Sequence, residues 1–148
     1  MVSLPASQCW MYVRNNNSAL IKRREGKGYG IQLTAEKGNV MNKNTFKYSG
    51  LANEKTIAID VGADGKVTMG LKAPKNATKP AKSVNVTPLH KNFRRVAKSI
   101  KTQTAGKYYR GDLTDKALAR WTALNRYTKV VAGVVKKAKT KTGRKGKN

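Results

Sequence analysis

Charge constrains this chain more than any other property, because it is both extreme and lopsided. The formal net charge is +25 at neutral pH, and it accumulates toward the C-terminus. Residues 1–64 hold nine Lys/Arg against five Asp/Glu, whereas residues 65–148 hold twenty-three against two, Asp112 and Asp115, which leaves the second half at +21. Such a surface repels itself at physiological ionic strength, so the chain is expected to work against a polyanion that supplies the missing charge. Nucleic acid is the leading candidate. At 148 residues, 39% of them hydrophobic, one modest core with basic extensions is the expected plan.

Several function classes are poorly served by this residue set. The one cysteine, Cys9, excludes an internal disulfide framework and a multi-cysteine zinc site, and His90, the one histidine, excludes histidine metal clusters. Cys9 is expected to be an ordinary packed residue. General acid–base catalysis needs a carboxylate or histidine held beside a group that shifts its pKa. With seven acids and one histidine, no enzyme, cofactor, metal or small-molecule substrate is expected. The run Gly26-Lys27-Gly28-Tyr29-Gly30 looks superficially like a phosphate loop, but it lacks the Walker spacing ending in Lys-Ser/Thr and the helix start that follows one. His90 reads as a surface residue or a phosphate contact. No charged leader opens the chain and nowhere do about 18 apolar residues follow one another, so a soluble intracellular protein is expected. The sequons at Asn16, Asn76 and Asn85 then read as chance.

The hydrophobic pattern predicts an α+β fold: a small antiparallel β-sheet unit in the N-terminal half, two basic amphipathic helices, and a disordered basic tail. Trp10–Arg14 and Ala19–Arg24 read as extended runs of a hairpin around Asn15-Asn16-Asn17-Ser18. Lys55–Val61 and Lys66–Leu71 form a second pair, with Ile57, Ile59 and Val61 facing the same side as Val67, Met69 and Leu71 across the Gly62–Gly65 turn. Residues 25–44 are expected to be mostly loop, with a short strand at Gly30–Thr34. A β-rich domain thus spans 1–73, and a basic linker with Pro74 and Pro80 spans 74–87. The helical region covers 88–133. Its first helix starts near Thr87 or Pro88 and carries Leu89, Phe93, Val96, Ala97 and Ile100; the second is capped by Asp112 or Thr114 and carries Leu113, Ala117, Trp121, Leu124 and Val131. The tail, 134–148, has seven Lys/Arg within residues 136–148 and no apolar side chain there larger than alanine, so it cannot fold alone.

Three cationic surfaces follow from this layout: Lys22, Arg23 and Arg24 at a strand end, Lys91, Arg94, Arg95 and Lys98 on a helix face, and the tail with Lys136 and Lys137. Each can displace condensed counterions from phosphates. Arg14, Lys47, Arg110, Arg120 and Arg126 complete the expected phosphate contacts. Lys107-Tyr108-Tyr109-Arg110 interleaves aromatic and cationic groups, an arrangement suited to stacking Tyr108 or Tyr109 on unpaired bases. The competing expectation is that one tyrosine packs on the core and leaves the other available. Phe46 and Tyr48 pose the same question, since on a strand both rings would share one face.

Specific residues also suggest a family. Trp10 followed by Val13-Arg14-Asn15-Asn16-Asn17-Ser18 and Leu20-Ile21-Lys22-Arg23 resembles the opening of the eukaryote-specific L28e family of large-subunit ribosomal proteins. Asn44-Thr45-Phe46-Lys47-Tyr48-Ser49-Gly50-Leu51-Ala52-Asn53, then Lys55-Thr56, is similar to that family's most recognisable internal stretch. Tyr108-Tyr109-Arg110 before Asp112-Leu113, with Ala117–Arg120 following, is a third match, so the resemblance covers about residues 10–132. One departure is Gly111, where the family usually places proline; helix initiation then rests more on Asp112 and Thr114. The resemblance implies a non-catalytic α+β component of the cytoplasmic ribosome on the solvent side of the large (60S) subunit. Its implied partners are ribosomal RNA, including expansion segments, and neighbouring large-subunit proteins, with nucleolar passage during assembly. A ribosome-assembly factor and a chromatin or DNA-binding basic protein are the alternatives. A membrane-active peptide fits poorly, because the helix stripes are needed for folding and no lipidation motif is present.

Overall fold

Two alternating runs joined by a glycine-containing turn form the centre of the fold. In the computed structural model, which describes residues 4–23, 30–76 and 78–138, these runs are β3 (Ile57–Val61) and β4 (Val67–Lys72), preceded by α1 (Ala6–Val13), β1 (Leu20–Arg23) and β2 (Ile31–Thr34). They pair antiparallel in the register Ile57↔Leu71, Ile59↔Met69, Val61↔Val67. Gly65 takes φ +69 in the turn, a conformation that disfavours a side chain. Ile57, Ile59, Val67 and Met69 are all buried on one face.

A third strand, β5 (Val84–Pro88), pairs with β4 in the register Met69↔Thr87, Leu71↔Asn85. The expected linker therefore ends inside the sheet. Its earlier part makes two short 3-10 turns, Pro74–Asn76 and Pro80–Lys82, which bring Ser83 back so that its carbonyl accepts from the Ala73 amide at 2.7 Å.

The core face is covered by α2 (Phe93–Gln103) and α3 (Thr114–Val131). The first of these starts later than expected: Pro88 ends β5, and Asn92 caps the helix by accepting from the Arg95 amide at 3.2 Å. Leu89 is buried but precedes the helix, while Val96 and Ile100 face inward as expected. Neither Asp112 nor Thr114 caps α3. Instead a 3-10 turn, Gly111–Leu113, leads into it, and the Thr114 hydroxyl is buried against that of Thr104 at 2.9 Å. Leu113, Ala117 and Trp121 join the core, Leu124 packs against it, and Val131 is exposed. At the far end Gly133, with φ +72, donates to the Val130 carbonyl, while Val134 donates to that of Lys129, a Schellman stop.

The N-terminal hairpin differs from expectation. Ala6–Val13, which includes most of the Trp10–Arg14 run, is helical, with Pro5 leading in, and β1 pairs with β2 in the register Ile21↔Leu33, Arg23↔Ile31. Trp10 sits 6.3 Å from Phe46. Residues 46–48 are a turn, so Phe46 and Tyr48 share no strand face; Tyr48 packs on the core and Phe46 on Trp10. Residues 25–29 of the expected loop and the tail beyond residue 138 lie outside the described residues.

Candidate nucleic-acid interface

Helical spacing collects cations on one side of α2. Lys91, just ahead of the helix, then Arg95, Lys98 and Thr102 recur at intervals of four, three and four, with Ser99 four after Arg95, which puts them on one face. With Gln103 and Lys107 they line an open groove of about 480 Å³. Among the described residues, no carboxylate lines it. Arg94 and Lys101 are exposed on the same helix outside the groove. Ser99, Thr102 and Gln103 were not singled out from sequence, although the 91/95/98/102 spacing carries the signal.

Tyr108 follows Lys107 and is 92% exposed. Its φ of +51 is unusual for an aromatic residue and is held by its neighbours. The next residue, Tyr109, turns inward: its hydroxyl donates to the Lys72 carbonyl at 2.6 Å, lies 3.1 Å from that of Thr56, and accepts from the Thr56 amide at 3.0 Å. Lys55 Nζ stands 5.9 Å from its ring centre. Tyr109 thus belongs to the fold, which leaves Tyr108 as the accessible ring. Burial raises the Tyr109 pKa, against opposing contributions from the Thr56 hydrogen bond and Arg110. Tyr109→Phe is expected to cost about 1–3 kcal/mol in urea unfolding, because the Thr56 amide loses its partner. The stability tied to the neutral phenol is complete below about pH 10 and lost as pH rises through the raised value. The phenylalanine variant should lack that alkaline loss.

Arg110 and Arg120, both expected on phosphates, are spent on protein. The Arg110 guanidinium grips Asp112 through Nε at 3.0 Å and Nη2 at 3.1 Å, and donates to the carbonyls of Lys47 at 2.7 Å and Lys55 at 3.2 Å. Arg120 donates to Ile59 O at 2.6 Å, Val40 O at 3.2 Å, Asn42 Oδ1 at 3.1 Å and Asp60 Oδ1 at 2.9 Å. Their side chains are 17% and 20% exposed, so these bonds are partly shielded from water. Lys47 stays exposed, 3.8 Å from Asp112. The Arg110 hydrogen bond, ahead of its charge, holds the Asp112 carboxyl below its ordinary value, with burial opposing. The resulting stability is present above the unfolded carboxylate pKa of about 3.9 and lost as pH falls through the depressed value. An acid melt of Asp112→Asn should accordingly show a shallower low-pH limb.

The remaining expected contacts are scattered. Lys22 and Arg23 on β1 line a smaller groove with Gly30, Ile31 and Gln32, while Arg24 lies outside the described residues. Arg14 follows α1, Arg126 lies on the outer side of α3, and Lys136 and Lys137 follow its Schellman stop; all four are exposed. Cys9 is a half-buried free thiol and His90 is exposed. Among the described residues, no three His, Cys, Asp or Glu cluster as a metal site, and no helix is long and apolar enough to cross a membrane.

The three stretches that carried the resemblance meet in space. The Asn44 amide donates to the Arg14 carbonyl at 2.8 Å, joining the first to the second, and Tyr109 and Arg110 bind the second at Lys47, Lys55 and Thr56. Within the second, Ser49 donates to buried Glu36 at 3.3 Å, and Asn53 donates to the carbonyls of Phe46 and Ser49 at 2.7 and 2.9 Å. These motif residues shape one joint between loop, sheet and helix.

The fold and its surfaces define a small basic α+β protein with an open groove lined by Lys91, Arg95, Lys98 and Lys107. The chain belongs to the ribosomal L28e protein family, whose model matches residues 8–127. A relative in Dictyostelium discoideum, large ribosomal subunit protein eL28, is 37% identical over 140 residues, 93% of this chain and 94% of its own length. The proteins of the same name in Schizosaccharomyces pombe and Caenorhabditis elegans are 36% identical over 117 residues and 37% over 94. They cover 78% and 61% of this chain, and 86% and 70% of their own lengths.

Proposed function

We propose that this chain is a structural constituent of the cytoplasmic large ribosomal subunit that binds and stabilises ribosomal RNA, expansion segments included, by neutralising crowded phosphates. Family membership supplies the setting, and the groove of Lys91, Arg95, Lys98 and Lys107, lined by no carboxylate among the described residues, is the observation that carries the RNA reading. Lys22, Arg23, Lys47, Arg94, Arg126, Lys136 and Lys137 add exposed cations around the body. Tyr108, beside the groove lysine, stacks on an unpaired base of the bound strand. Catalysis has no part in this role. Passage through the nucleolus precedes residence in the cytoplasm.

Competition binding at fixed salt between large-subunit ribosomal RNA and duplex DNA of matched length tests the proposal. RNA is expected to win, and Tyr108→Ala should weaken the RNA complex by about 1–3 kcal/mol while leaving the salt slope unchanged. Equal affinity for the duplex, unaffected by Tyr108→Ala, would favour a chromatin protein.

A further inference from the structure

We infer that the outer edge of β5 receives an extended segment of a neighbouring protein, which adds to the sheet as a fourth strand. The inference rests on the large-subunit role proposed above. The hydrogen-bond register sets up the edge. Ala73 donates to Ser83 O at 2.7 Å and Leu89 donates to Val67 O at 2.8 Å, so residues 83, 85, 87 and 89 turn their backbone toward β4. In an antiparallel pair the intervening residues turn theirs away. Val84 and Val86 therefore aim both amide and carbonyl outward, and Pro88, the next outward residue, has no amide to leave unpaired. On the opposite edge, that of β3, the Arg120 guanidinium already takes Ile59 O at 2.6 Å.

Side chains on this edge match the backbone. Val84 and Val86 are 44% and 64% exposed and stand on the sheet face turned away from α3. They border a cavity of about 640 Å³ floored by Ala58, Thr68 and Gly70. The floor is low by composition: a Cβ on Gly70 would come within 2.8 Å of Val84 Cγ1. An exposed β-branched edge beside a shallow apolar shelf is a template for strand addition, which proteins normally block or cover.

The chemistry selects among occupants. A nucleic-acid backbone cannot match alternating amides and carbonyls and gains nothing from valine. A second copy would bring +25 against +25, and residues 139–148 of this chain have no apolar side chain larger than alanine to lay on the shelf. The occupant is a heterologous segment with small apolar side chains at alternate positions, and with carboxylates to meet Lys37 at the cavity wall and Lys82 just before β5; Asp60 in the same lining is already paired with Arg120.

The test places the photo-crosslinking residue p-benzoylphenylalanine at Val84 or Val86 in the full chain, in cells whose large subunits are then purified and irradiated. Both positions are expected to link to one segment of one ribosomal protein, at sites offset by about two residues. The Val86→Pro change removes an outward amide and should lower the Val84 crosslink severalfold. In the unmodified chain, hydrogen exchange at the Val84 and Val86 amides should slow about tenfold or more between free protein and assembled subunit. Crosslinks to RNA alone, scattered protein sites, or unchanged exchange would overturn the strand while leaving the chain a subunit constituent. Absence of the unmodified chain from large subunits would overturn that role and the strand together.

Discussion

Exchanging Lys91, Arg95, Lys98 and Lys107 together for glutamine is expected to lower affinity for large-subunit ribosomal RNA roughly a hundred- to thousandfold at about 0.1 M salt. Each phosphate contact contributes about 0.7 to 0.9 to the slope of log affinity against log salt, so losing four should flatten that slope by about 3. The four side chains are exposed, and among the described residues no carboxylate lines their groove to offset them. Their removal leaves Val96 and Ile100, the buried residues of α2, untouched. Thermal unfolding should therefore stay within a few degrees of the parent while binding collapses. An unchanged salt slope would mean that this face is merely solvated.

Trp121→Ala should do the reverse. The indole is 2% exposed, lies 5.8 Å from the Phe93 ring, and donates through Nε1 to the Leu89 carbonyl at 3.1 Å. It therefore ties α3 to α2 and to the chain leaving β5. Truncating a buried aromatic costs about 3–5 kcal/mol, and the orphaned Leu89 carbonyl adds to that. Domains of this size hold roughly 5–15 kcal/mol in total, so much of the variant should be unfolded near body temperature. RNA that binds the native state should partly restore its melting temperature, because linkage stabilises whichever state the ligand prefers. A rise in melting temperature on adding RNA to Trp121→Ala, and no such rise in the groove variant, would separate folding from binding.

What could be read from the sequence follows from what periodicity encodes. The β3–β4 register was legible because Ile57, Ile59, Val67 and Met69 alternate cleanly around a glycine turn. Leu113, Ala117 and Trp121 were legible as core for the corresponding helical reason. Val84-Asn85-Val86-Thr87 also alternates, but it sits in Pro- and Lys-rich surroundings and was absorbed into the linker. The α1 segment misled through the β-propensity of Trp10, Tyr12 and Val13, although Pro5 was an available start signal.

The site was less legible than the fold, since charge counts do not show where a guanidinium points. Arg110 and Arg120 count like any other cation in composition, yet carbonyls from residues distant in sequence claim their donors. Arg95 and Lys98 look identical to them on paper and line an open groove. Tyr109 and Tyr108 separate by the same logic. One is fixed by Thr56 and Lys72, and the other is turned out by the fixing of its neighbour.

The most direct measurement is sedimentation of a lysate through a high-salt sucrose gradient, with this chain followed from free fractions to polysomes. The account predicts about one copy per large subunit, retained through the salt and present in polysomes, as expected of a structural component held by many phosphate contacts. Confinement to nucleolar precursors would identify an assembly factor, and absence from both would contradict a ribosomal role altogether.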